Sequence, residues 1–137
     1  MGYQFAGFFI TSRISMSESL QKNAIWRDIA APFQGTGIFT SHLVGKDMAP
    51  EIVLSLAQEI GITGEDTWIF LQYDCWGGMI DYVYGMGVAK GTSFGPIEDS
   101  AHDTVEATYV ELMERLDISA ENSLNFAPFE RGFWGEV

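Results

Sequence analysis

Apolar and polar residues alternate with different rhythms along this chain. The stretch YQFAGFFITS, aromatic and β-branched, predicts a strand over 3–12. Ser15 with Glu18 three places later has capping-box spacing and predicts a helix running to about Ala31, ahead of Pro32. Residues 37–44 (GIFTSHLV) read as a second, short strand. Helical spacing is clearest in KDMAPEIVLSLAQEIGI, where Ile52, Val53, Leu56, Ala57 and Ile60 recur on one face. Pro50 suits the first turn of that helix, and Gly61 suits the left-handed position just past its end. Two hairpin strands follow, over about 67–76 and 79–88. A last helix over about 99–116, after Pro96, would bury Ala101, Val105, Tyr109, Leu112, Met113 and Leu116. The closing NFAPFERGFWGEV holds four aromatics in thirteen residues and reads as an edge strand.

Without residues 14–48, the order is strand, helix, strand, strand, helix, strand. This predicts an α+β fold: a two-layer sandwich whose antiparallel sheet carries its helices on one face. Such an order is ferredoxin-like, a split βαβ arrangement, with an insertion at about 14–48. The 137 residues suit a single domain spanning 1–137.

Composition narrows the function classes. A hydrophobic fraction of 47% marks a folding chain, despite a formal net charge of −12. The charge is uneven. Residues 1–31 set Arg13, Lys22 and Arg27 against Glu18 and Asp28, so the other 106 residues carry −13. That field repels phosphates and anionic lipid, which argues against nucleic-acid and membrane partners and favours basic proteins. No apolar run approaches a membrane span, and the N-terminal stretch lacks the pattern of a secretory signal. Cys75 is the only cysteine, so no internal disulfide forms. The expectation is a soluble, reduced, cytoplasmic protein.

The hairpin YDCWGGMIDYVYG places Asp74 and Asp81 symmetrically about Gly77-Gly78. A two-residue turn would pair Cys75 with Ile80, Tyr73 with Tyr82, Trp76 with Met79, and Asp74 directly with Asp81. Like charges in direct opposition are destabilising, and few basic residues of this chain are available to compensate. A basic partner would relieve the repulsion. The predicted last helix repeats the theme, with Asp103 and Glu106 three apart, and Glu111, Glu114 and Asp117 also at three-residue spacing. Trp68, Phe70 and Trp76, with Phe133 and Trp134 near the end, would add an aromatic cluster of the kind that carries binding energy.

Catalytic motifs are poorly supported. Gly91-Thr92-Ser93-Phe94-Gly95 matches G-x-S-x-G, but Pro96 stands where the helix of a nucleophile elbow should start. Gly85, Gly87 and Gly91 lack phosphate-loop spacing. His42, His102 and Cys75 do not make a zinc set, and no cofactor or metal is expected.

These residues point to a non-enzymatic, acidic protein-binding domain that neutralises a basic partner such as a nuclease or toxin. The expected partner-binding residues are Asp74, Trp76, Asp81, Trp68, Phe70, Asp103, Glu106 and Glu114. In size, acidity and lack of a catalytic motif the chain resembles bacterial immunity proteins; the resemblance is compositional and assigns no residues. The alternatives are a small acid/base enzyme using Asp74 and Asp81, and a structural homo-oligomer subunit. The enzyme requires a concave pocket enclosing both carboxylates, with at least one pKa raised. The oligomer requires a symmetric, mostly apolar interface.

Overall fold

The computed structural model describes residues 2–14, 24–30, 33–62, 65–76, 79–124, 126, 129, 133 and 134. It is an α+β structure with six strands: β1 (Gly2–Ile10), β2 (Ile25–Ile29), β3 (Gly35–Phe39), β4 (Trp68–Trp76), β5 (Met79–Ala89) and β6 (Thr92–Asp99). They form one sheet in the order β2-β3-β1-β4-β5-β6, with every neighbouring pair antiparallel. The helices are α1 (Pro50–Ile60), α2 (Val105–Glu114) and the short α3 (Ala120–Leu124). Among the described residues no helix is long and apolar enough to cross a membrane.

β1 and β4 lie at the centre, and their sequences show why. Phe5, Ala6, Phe8, Phe9 and Ile10 are all buried, as are Trp68, Ile69, Phe70 and Leu71. Successive side chains in a strand point to opposite faces, so an unbroken apolar run means both faces are covered. On one face Phe8, Ile10, Trp68 and Phe70 pack with Val53, Ala57 and Ile60 of α1. On the other, Phe5, Phe9, Ile69 and Leu71 meet Val105, Tyr109, Leu112 and Met113 of α2, together with Phe126 and Trp134. The expected two-layer sandwich is therefore replaced by helices on both faces.

The ferredoxin-like order is not reproduced either. β3 and β4 are each antiparallel to β1, so they run parallel to one another with β1 between them, and α1 joins them. The strand entering the split β-α-β unit is thus β3 rather than β1. Residues 14–48, expected as an insertion, instead supply β2 and β3 to the sheet. The helix expected up to Ala31 is contradicted at 25–29, where IWRDI pairs with β3 and buries Trp26 in one core and Ile29 in the other. Its capping box, Ser15 and Glu18, lies outside the described residues.

The strand over 3–12 and the hairpin strands stand where their pattern places them. α1 does too, with Pro50 in its first turn and Gly61 in the left-handed region at φ 93°. Ile52, expected in the buried stripe, is exposed. The last helix starts later than expected because residues 92–99 pair with β5 as β6. Its apolar stripe from Val105 to Leu116 is buried as the spacing requires, while Ala101 is exposed. α2 packs closely over Gly85, where a Cβ would come within 2.8 Å of the Leu112 side chain. The tail lies mostly outside the described residues; Phe126 and Trp134 are buried in the α2-side core, and Phe129 and Phe133 pack against it.

Candidate interaction surface

The hairpin of β4 and β5 keeps the expected register only at its end, where Trp76 opposes Met79 and Cys75 opposes Ile80. One step further in, Asp74 opposes Tyr82, and Asp81 is the unpaired extra residue of a β-bulge. The expected direct Asp74–Asp81 pair is thus overturned, along with Tyr73 opposite Tyr82: Tyr73 faces Val83. The inserted residue separates two carboxylates that a plain register would have pressed together.

The two carboxylates still share a groove of about 470 Å³, lined by Gln4, Asp74, Cys75, Trp76 and Asp81. Burial raises the Asp74 carboxyl above its ordinary value; a hydrogen bond from the Gln4 side chain lowers it, and the Asp81 carboxylate raises it again. A second groove of about 240 Å³ meets the first at Asp74 and is lined by Gly45, Lys46, Asp47, Gln72, Tyr82 and Glu98. The Tyr82 hydroxyl donates to Glu98 Oε2 at 2.5 Å. Buried Gln72 fixes the overhanging segment, donating through Nε2 to the carbonyls of Leu43 and Lys46 at 3.0 and 2.8 Å.

On the opposite face of the hairpin end, a cavity of about 210 Å³ lies against α2 and α3. It is lined by Tyr73, Met79, Ile80, His102, Val105, Glu106, Tyr109 and Leu124. His102 Nε2 stands 3.7 Å from Asp81 Oδ1. Asp99, at the end of β6, ties the start of α2 in place. Its carboxylate accepts from the Ala101 N–H (2.9 Å) and from the hydroxyls of Thr104 (2.9 Å) and Thr108 (2.6 Å). The Thr108 hydroxyl does most to hold the Asp99 carboxyl below its ordinary value, helped by the Ala101 N–H and the Thr104 hydroxyl.

The expected site residues divide. Asp74, Trp76, Asp81 and Glu106 gather around the hairpin end. Asp103 is exposed in the turn before α2 rather than within a helix. Glu114 is exposed two turns beyond Glu106, about 12 Å along α2 at 1.5 Å per residue. Trp68 and Phe70 are withdrawn from the surface: at 3% and 0% exposure they sit beneath α1 and cannot reach a partner in this structure. Trp134 is likewise buried, on the other face. The expected aromatic cluster therefore reduces to Trp76, 66% exposed, beside Met79 at 58% and Leu124 at 48%.

Met79 and Leu124 were not anticipated as surface groups. For Met79 a signal was present, since the turn itself pairs it with Trp76. Leu124 carries none, because its exposure depends on how α3 seats on α2. Among the described residues, no Lys or Arg forms an ion pair with Asp74, Asp81, Asp103, Glu106 or Glu114; the Arg and Lys ion pairs are Arg13–Asp28, Lys90–Asp117 and Arg115–Glu111. Nor do three His, Cys, Asp or Glu side chains among them come close enough to hold a metal ion. Comparison of the chain with protein-family models, with curated proteins and with solved structures found no match.

Proposed function

We propose that this chain is an acidic protein-binding domain that engages a basic partner through the end of its β4–β5 hairpin and the adjoining face of α2. The observation that carries this reading is Trp76, a large aromatic left two-thirds exposed beside Met79 and flanked by Asp74 and Asp81. An exposed aromatic with an apolar neighbour is a typical anchor, and surrounding carboxylates select a cationic surface. The charge of −12 extends that selection to long range and speeds encounter. The role that fits best is inhibition or sequestration of a basic nuclease or toxin-like protein in the cytoplasm, as in immunity proteins.

The test is affinity capture from the lysate of the source cells at about 50 mM and about 500 mM salt, a range that shortens the screening length from above 10 Å to a few Å. Wild type and Trp76→Ala serve as baits. A basic protein held by wild type at low salt, and lost with either high salt or the substitution, supports the reading. Equal capture by both baits at both salts removes it.

A second reading is favoured by a specific observation: the groove enclosing Asp74 and Asp81, with the Asp74 carboxyl raised by burial. Such a pair suits acid/base chemistry, one carboxyl donating a proton while the other stays ionised. It predicts that Asp74→Asn abolishes a turnover detectable in wild type across a panel of small hydrolysable substrates. Retention of any such turnover in the variant would end this reading.

A further inference from the structure

We propose that the cavity between the hairpin end and α2 receives one arginine side chain of the basic partner; this rests on the partner-binding reading above. Size is the first argument. At about 210 Å³ the cavity falls below the roughly 300–1,000 Å³ of ordinary small-molecule sites and matches a single long side chain.

Its lining is the second. Tyr73, Ile80, Val105 and Tyr109 are buried and give an apolar, aromatic floor, which suits an aliphatic stem. Met79 and Leu124 stand exposed beside it, so a partner would cover apolar area that water now wets.

Charge supplies the third. Exposed Glu106 belongs to the lining together with Tyr73, so it brings a carboxylate to the cavity wall. Asp81 lies close by through His102. Neither carboxylate has a Lys or Arg ion-pair partner among the described residues. Arginine fits better than lysine, because its guanidinium is less strongly hydrated and stacks on aromatic rings.

The test is a nuclear magnetic resonance titration of the full chain with N-acetyl-arginine methylamide. The citrulline and norleucine counterparts test charge and stem separately. The arginine probe should shift the amides of Ile80, Val105, Glu106 and Tyr109 saturably. Citrulline and norleucine should shift them weakly. Glu106→Gln should weaken the arginine probe roughly threefold to fivefold, the worth of a part-exposed ion pair. Absence of a saturable shift, shifts centred elsewhere, or equal affinity for arginine and citrulline would overturn the inference.

The same variant separates this proposal from the one beneath it. A captured basic protein that binds Glu106→Gln as tightly as wild type, yet is lost with Trp76→Ala, leaves the partner reading standing and removes the arginine anchor. An arginine probe that fills the cavity of a chain capturing no basic protein leaves the cavity's preference standing and removes the partner.

Discussion

Asp74 and Trp76 are neighbours on the same face of β4, yet the structure treats them differently. Asp74 is half-buried and raised above its ordinary pKa of 3.8, so its ionised form is disfavoured by folding. The native state holds the proton to higher pH than the unfolded chain, so stability declines as pH climbs from about 4 through the raised value. Asp74→Asn should therefore stabilise the free protein at pH 7 by a few tenths of a kcal/mol, a small figure because solvent screens a half-exposed group. Urea unfolding at pH 7 and at about pH 3 checks this: the gain should be present at the first and absent at the second. Trp76, by contrast, contributes little to the fold because two-thirds of it faces water. Trp76→Ala should leave the thermal midpoint within about 2 °C of wild type while removing partner binding. A collapse of the midpoint would place Trp76 in the core instead.

The elements divide by how locally they are specified. α1 was legible because its apolar spacing, Pro50 and Gly61 all lie within the helix or beside it. β6 was not, because TSFGPIED has no strong strand pattern and gains its structure by pairing with β5. The same dependence on a distant partner hid β2, whose Trp26 and Ile29 enter opposite cores. Asp99 shows what the boundary between β6 and α2 requires: three donors converge on one carboxylate. Its pKa is lowered, so its stabilising effect is present above about pH 4 and lost as pH falls through the carboxylate range. Asp99→Ala should fray the first turn of α2, read as faster amide exchange at Val105–Thr108. Gly85→Val should be costlier, about 1–3 kcal/mol by denaturant unfolding, because Leu112 already occupies the space a side chain would need.

At the scale of the molecule, the runs FAGFFI and WIFL carried the decisive signal. Neither alternates, and a strand without alternation is apolar on both faces. The expectation of helices on one face missed this: α1 and α2 cover opposite faces, and that burial withdraws Trp68 and Phe70 from any binding surface. The bulge at Asp81 was not legible, since one extra residue in a hairpin leaves no mark on composition. What survives of the candidate surface is Trp76 with Met79 at one end of the sheet, between carboxylates on β4, β5 and α2. Electrostatics at such a surface should set the rate of encounter, and the aromatic anchor should set the lifetime of the complex. The most direct measurement is the association and dissociation rate of the captured basic partner across about 50–500 mM salt, with wild type and Trp76→Ala. An association rate that falls at least tenfold with salt for both proteins, with dissociation markedly faster only in Trp76→Ala, is the expected result. A salt-independent association rate, or equal dissociation from both proteins, would contradict binding through this surface.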